Sequence, residues 1–176
     1  MLRDQRCCMS RCDEIVLRPA TSEHFDAVIE LRALLLEGSE ANYACVSVEE
    51  RKLWRDAYSA WLRDVLSRSQ TTQLLVAVCD GRVVGCVTGF VDRRAPGPDC
   101  LNGLCGWVQS LVVSPAFRSR GLSRVLMQSL MEWFEGRQVG KVVLQSTPAA
   151  EPLYERIGYS RSSEYIWTWP AREQRA

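Results

Sequence analysis

Three arginines and a glycine stand together in residues 118–124, in the stretch SPAFRSRGLSRVL that follows the apolar run LVV. A helix that starts directly after a strand exposes backbone N–H groups, and its dipole adds about half a positive charge. Gly121 lets the backbone approach a ligand closely, and guanidinium groups suit phosphates. The combination predicts a site for a pyrophosphate-bearing ligand. A solvated, arginine-rich helix start is the alternative that this stretch by itself leaves open.

The arginine cluster does not belong to a generally basic chain. The 176 residues contain 22 Lys and Arg against 21 Asp and Glu, which gives a net charge of +1. Such a balance provides no general attraction to nucleic acid or to a membrane surface, so we expect neither partner. No apolar run approaches the ~18–20 residues that span a bilayer. The polar N-terminus lacks the apolar core of a signal peptide, and we therefore expect a cytoplasmic location.

Cysteine and histidine offer no metal-ligand pattern. The eight cysteines form no C-x-x-C pair, and His24 is the one histidine of the chain. Zinc sites usually combine such residues at short, regular spacings. We therefore predict no metal.

The pattern of apolar residues predicts the order strand, two helices, three strands, helix, strand, short helix, strand. Thr21 or Ser22 caps the first helix, which ends at Gly38, and Ser47 begins a second helix that runs to about Arg68. An Asp-Gly pair at 80–81 predicts a hairpin. We expect a flexible arm at 1–13, one domain at 14–170 and a tail at 171–176. This order of elements indicates an α/β or α+β fold with a mixed sheet.

Two motifs in register resemble the GCN5-related N-acetyltransferases, the GNAT family. RSRGLS at 118–123 is similar to the family signature Q/R-x-x-G-x-G/A, and AEPLYERIGY at 150–159 is similar to A-x-x-L-Y-x-x-x-G-F/Y, which follows the family's fifth strand. The resemblance covers about residues 14–169. The sequence departs from the signature at Ser123, where the family has Gly or Ala. Serine is also small and keeps its backbone N–H.

The resemblance implies a fold and a co-substrate. The fold is a mixed, mostly antiparallel sheet of about six or seven strands, flanked by about four helices and split between strands four and five. The co-substrate is acetyl-CoA, with no metal. Its pantetheine arm would pair with the strand Leu111, Val112 and Val113. Its pyrophosphate would be held by Arg118, Ser119, Arg120, Gly121, Leu122, Ser123 and Arg124.

The resemblance also implies a general acid. The general base of the family, however, is missing from the fourth strand of this chain. Tyr154 matches the family tyrosine that protonates the departing CoA thiolate. Many members carry a glutamate on the fourth strand, where this chain has Gln109, which cannot accept a proton. An alkylamine of pKa ~10.4 must lose a proton before it attacks, at a cost of about 4.6 kcal/mol at pH 7. The other candidates leave the choice open: Glu37, Glu40, Asp92 and Glu164.

The acceptor side of the family is built from the loop between the first two helices and the region before the last strand. The acidic character of that loop favours a cationic amine. The candidate acceptor-binding residues are Glu37, Glu40, Tyr43 and Gln109. The aromatic residues of the second helix and of the C-terminal YIWTW suit either a homodimer contact or the core.

We therefore expect an acetyl-CoA-dependent N-acetyltransferase that acts on a primary amine of a small molecule or peptide. Attack is direct and the kinetics sequential, because no cysteine stands where an acyl-enzyme nucleophile belongs. The alternative is a catalytically silent acyl-CoA-binding module that regulates a partner, and the missing carboxylate on the fourth strand is its support.

Overall fold

The computed structural model describes residues 14–37, 44–45, 47–65 and 70–163. Several expectations lie outside these ranges: the arm, the tail, the last strand beyond residue 163, the predicted helix ends at Gly38 and Arg68, and the side chains of Glu40, Tyr43 and Glu164. The chain divides into two compact units, Met1–Gln145 and Ser146–Ala176. A single domain over 14–170 stays a prediction.

The described part of the first unit holds five strands and three α-helices. In chain order they are β1 (Ile15–Pro19), α1 (Phe25–Leu36), α2 (Val48–Val65), β2 (Thr72–Cys79), β3 (Arg82–Arg93), β4 (Leu104–Val113), α3 (Leu122–Glu135) and β5 (Lys141–Leu144). The second unit contributes one short helix, α4 (Glu151–Arg156). The predicted order of elements is confirmed over the described residues, with five strands against the six or seven expected.

Local sequence signals determine where these elements begin and turn. The N–H of Glu50 donates to Ser47 Oγ at 3.1 Å, so the predicted cap of α2 is confirmed. Before α1, the Thr21 N–H donates to Nδ1 of the buried His24 at 2.9 Å. At the β2–β3 hairpin, Asp80 and Gly81 have φ values of 49° and 73°. Two positive values are what the tight turn of an Asp-Gly hairpin requires.

The five strands follow one another in the order β1-β2-β3-β4-β5. The first three pairings are antiparallel, and only β4 and β5 run parallel. The β4–β5 register extends from Cys105↔Lys141 to Val108↔Leu144. Beyond that point β4 continues to Val113 with β3 as its one strand partner among the described residues. The predicted split between strands four and five is therefore confirmed.

Helices cover both faces of this sheet. The core cluster on one face joins α1 and α2 to alternate residues of β2 and to Cys86 and Val112. Gly85, the neighbour of Cys86, faces the other way, since a Cβ on it would lie 3.1 Å from Leu126 of α3. Successive residues of a strand point to opposite faces, so β3 contributes to both layers. Within the described residues, no helix is long and apolar enough to cross a membrane.

Candidate active site

The loop between β4 and α3 contains two residues with left-handed backbone. A single 3₁₀ turn, Pro115–Phe117, follows β4. Ser119 and Gly121 then adopt left-handed conformations, with φ values of 61° and 77° on either side of Arg120. Alternation between right- and left-handed residues is how many proteins turn successive N–H groups toward one side and build a concave anion site.

The start of α3 adds further donors to this loop. In the first turn of α3, the N–H groups of Arg124 and Val125 both donate to the Gly121 carbonyl, at 3.0 and 3.2 Å. The N–H groups just before them have no partner inside a helix. Leu122 is buried and fixes the start of α3 to the core, while Ser123 is half-buried beside it. The start of the helix that carries these N–H groups is therefore packed against the core.

All three predicted arginines are exposed around this loop. Arg118 Nε donates to the Val113 carbonyl at 3.2 Å, and the Arg120 guanidinium lies 5.2 Å from the centre of the Phe117 ring. Neither these two nor Arg124 forms an ion pair within the described ranges. Among the residues that the structure describes, no carboxylate therefore pairs with the positive charge at the helix start.

The predicted pantetheine strand occupies the end of β4 beyond the split. Val112 and Val113 are buried, and Leu111 is half-buried. A bulge lies at this point, because Ser110 and Leu111 both stand opposite the single residue Val87 of β3. Such a bulge disrupts the ladder locally and leaves backbone groups unpaired. Gln109, just before the bulge, is exposed.

A polar cluster against this bulge was missed by sequence reasoning. Arg32 Nη1 donates to Ser110 Oγ, and the Arg32 guanidinium lies 4.5 Å from the centre of the Tyr58 ring. Burial raises the pKa of Tyr58 to about 12 and that of Cys86 to about 12. The one signal in the sequence was the position of Arg32, a charged residue between the apolar Leu31 and Ala33 of the first helix.

Glu37, a predicted acceptor residue and candidate base, forms an ion pair with an arginine of α2. Arg55 Nε lies 2.8 Å from Glu37 Oε1, and Arg55 also pairs with Glu30. The hydrogen bond from Arg55 lowers the pKa of Glu37, which weakens it as a base. The other described candidate, Asp92, is exposed at the end of β3 and lies 3.5 Å from Arg94. Glu40, Tyr43 and Glu164 lie outside the described residues.

The predicted acid belongs to the second unit. Tyr154 is half-buried on α4, and its ring centre lies 6.0 Å from that of Tyr159. Desolvation, and then the charge of Tyr154, raise the pKa of Tyr159 to about 12. Gly158, with a φ of 99°, follows the helix, and the Tyr159 N–H donates to the Tyr154 carbonyl at 3.0 Å. This hydrogen bond closes the turn that follows α4 and fixes the backbone of Tyr159 against that of Tyr154.

Residues suited to a metal ion do not come together in the described ranges, which contain no group of three or more His, Cys, Asp or Glu side chains placed to hold one. The donors that the structure brings together at residues 110–124 are backbone groups, hydroxyls and guanidiniums. These are ligands for anions and amides.

Comparison with known proteins identifies the family of the chain. The model of the acetyltransferase (GNAT) family matches residues 32–159. A glucosamine 6-phosphate N-acetyltransferase of Trypanosoma brucei brucei is 30% identical over 81 residues, which are 45% of this chain and 52% of that protein. The chain thus spans about half the length of this curated relative.

Solved structures share the fold. A GCN5-related N-acetyltransferase from Ralstonia eutropha superposes with a TM-score of 0.76 at 22% identity, over 89% of this chain and 99% of that one. A protein from Clostridium acetobutylicum, described as a predicted acetyltransferase with acetyl-CoA, superposes with a TM-score of 0.72 at 15% identity, over 88% and 96%.

Proposed function

Because the chain belongs to the GNAT acetyltransferase family, we propose that it moves the acetyl group of acetyl-CoA to a primary amine. The observation that carries the proposal is the loop before α3, where left-handed Ser119 and Gly121 stand beside exposed arginines that form no ion pair with the described residues. Several converging donors suit a pyrophosphate better than a single carboxylate. The same loop contains the motif by which the sequence resembles the family.

The remainder of the co-substrate lies along β4 in this proposal. The pantetheine amides pair with the backbone of Leu111, Val112 and Val113, which has no β5 partner in the described part of the sheet. An extended ligand that adds to an exposed strand edge gains main-chain hydrogen bonds in this way. The freed backbone at the bulge then stabilises the oxyanion that forms when the thioester is attacked.

Attack by the amine is direct, without an acetylated cysteine. Cys86 lies next to the bulge, with its Sγ 3.8 Å from the Ser110 carbonyl, but it is fully buried. Burial raises its pKa to about 12, so the thiol is protonated at neutral pH and is not a nucleophile. Sequential kinetics follow, and intact-mass spectrometry after incubation with acetyl-CoA should show no stable acetyl adduct.

Tyr154 protonates the departing thiolate. A phenol of ordinary pKa ~10 can donate to a thiolate whose conjugate thiol has a pKa of ~8.5, because the mismatch is small. Replacing Tyr154 with Phe removes the proton and keeps the ring. We expect kcat to fall about 100-fold, within the usual range for a general acid, with little change in the acetyl-CoA KM.

The amine loses its proton without a carboxylate on β4. Gln109 is exposed at the bulge and orients the acceptor or a water molecule, while Glu37 remains ionised in its pair with Arg55. Proton release then goes through water, or the acceptor is an amine of low pKa. The curated relative is named for glucosamine 6-phosphate, which favours a small-molecule amine over a peptide. A cytoplasmic location and a homodimer stay predictions.

The test is a binding and turnover screen. Isothermal titration measures the affinity for acetyl-CoA, and CoA release is then followed across a panel of amino sugars, polyamines and peptide amines. Turnover that depends on Tyr154 supports the proposal. No binding of acetyl-CoA, or binding that Tyr154→Phe abolishes together with turnover, contradicts the assigned roles.

A silent acyl-CoA-binding module is the second candidate. It is favoured by the lack of a carboxylate on β4 and by the engagement of Glu37 with Arg55. Tight binding of acetyl-CoA without turnover on any amine, and without hydrolysis, would support this candidate over the enzyme.

A further inference from the structure

The bulge of β4 contains a residue in an unfavourable conformation. Ser110 has a φ of 58°, a left-handed conformation that residues with a Cβ rarely adopt. It lies where two residues of β4 stand opposite Val87. Strained backbone of this kind persists only when the surroundings hold it, and it concentrates at functional sites.

Arg32 contacts this residue from another element of the fold. It lies on α1, separated from Ser110 by 78 positions in sequence, and its Nη1 donates to Ser110 Oγ. Its guanidinium is in turn placed over Tyr58 of α2, at 4.5 Å from the ring centre. A planar guanidinium both stacks on an aromatic ring and donates in a fixed direction, which a lysine cannot do.

Tyr58, the aromatic partner of Arg32, is connected to the sheet through a second aromatic residue. Tyr58 is buried and stacks on Trp61, with ring centres 5.4 Å apart. Trp61 meets Phe90 of β3 edge-on at 5.9 Å. The position of Arg32 is thus determined from both sides, by α2 and by the sheet. We call Arg32, Tyr58 and Ser110 the bulge clamp.

We propose that Arg32 is a positioning residue, which holds Ser110 in its left-handed conformation and so directs the backbone of the β4 bulge toward the acetyl group. The inference rests on the proposed function for its catalytic consequence. Its structural part, that Arg32 maintains the bulge, does not depend on any substrate.

A double-mutant cycle tests the clamp. Glycine adopts the left-handed conformation readily, so a chain with Ser110→Gly no longer needs Arg32 to hold the bulge. We expect Arg32→Met to lower kcat about tenfold in the native background, and at most about twofold in the Ser110→Gly background. The acetyl-CoA Kd should change less than kcat in both. Arg63→Met, at an exposed position on α2, is the matched control and should change neither.

Amide NMR of the free protein separates this inference from the proposed function. Arg32→Met should shift the backbone resonances of residues 109–112 and accelerate their hydrogen exchange. Ser110→Ala removes the acceptor hydroxyl and keeps the strain, so it should produce the same changes. This variant replaces Arg32→Met in the comparison if Arg32→Met does not fold. The double variant with Ser110→Gly should show no further change on loss of Arg32.

Two outcomes overturn the inference. Unchanged bulge resonances in both Arg32→Met and Ser110→Ala show that the clamp does not maintain the bulge. If Arg32→Met lowers kcat by the same factor in the native and in the Ser110→Gly background, Arg32 acts on the substrates directly. If no amine is turned over, the NMR comparison alone decides, because it needs no ligand.

Discussion

At the scale of single residues, Gly121 and Gly81 form a natural pair for comparison. Both have positive φ, at 77° and 73°, and a Cβ on either would have no atom within 4 Å. Substitution by alanine therefore introduces the same backbone strain, roughly 1–2 kcal/mol, without a steric clash. We expect Gly121→Ala to weaken acetyl-CoA binding at least about tenfold, because the donors of the loop lose their alignment.

Gly81→Ala is the control for this prediction. It lies in the β2–β3 hairpin, so it should lower the free energy of unfolding by a similar amount and leave the acetyl-CoA Kd unchanged. Calorimetric titration and denaturant unfolding of both variants provide the comparison. Equal affinities of the two variants would mean that the loop before α3 does not bind the co-substrate.

The ion pair of Arg55 with Glu37 predicts a dependence of stability on pH. The pKa of Glu37 is lowered in the folded state, so its stabilisation is complete above the ordinary value of 4.5 and is lost as the pH falls through the lowered value. Both side chains are less than a third exposed. Arg55→Met should therefore cost about 1 kcal/mol near pH 7, and the difference from the native chain should shrink below about pH 4.5.

Urea unfolding at pH 7 and at pH 3.5 measures this difference, with Arg63→Met as the exposed control. A penalty that stays constant between the two values of pH would show that Arg55 acts through packing rather than through the carboxylate.

At the scale of elements, the close approach of α3 to the sheet depends on glycines. A Cβ on Gly106 of β4 would lie 2.9–3.1 Å from three atoms of the Phe134 ring, which is itself fully buried. A rigid ring in a filled core cannot move aside, so Gly106→Ala should lower the free energy of unfolding by about 1–3 kcal/mol. Gly136→Ala is the control, since its Cβ would meet only ordinary contacts at 3.5 Å and beyond. Thermal unfolding of the two variants decides, and equal melting temperatures would contradict the packing argument.

The elements themselves could be predicted from the sequence, because their signals are local. The Ser47 cap, the Asp80-Gly81 turn and the apolar stripe of α3 all act within a few residues of chain. The bulge clamp could not be predicted. Arg32 and Ser110 are brought together by the packing of α1 on β4, and no spacing rule links positions so far apart in sequence. The engagement of Glu37 was missed for the same reason, since Arg55 reaches it from another helix.

At the scale of the whole molecule, binding of acetyl-CoA should raise the melting temperature. A ligand that binds only the folded state stabilises it by about 2.7 kcal/mol at 100 times its Kd. For a chain of 176 residues, each kcal/mol corresponds to roughly 2–4 °C, so the expected rise is about 5–10 °C. Scanning calorimetry at increasing acetyl-CoA concentrations provides the measurement.

The chemistry of the loop before α3 predicts which part of the ligand causes this rise. Free CoA keeps the pyrophosphate and should act like acetyl-CoA, whereas pantetheine, which lacks it, should have little effect at the same concentration. Added salt should reduce the rise, because exposed arginines and phosphates are screened. Gly121→Ala should reduce it at a fixed acetyl-CoA concentration, and Gly81→Ala should not, once each variant is compared with its own ligand-free form. An equal rise with pantetheine would place the binding energy on the split of the sheet instead of the arginine loop.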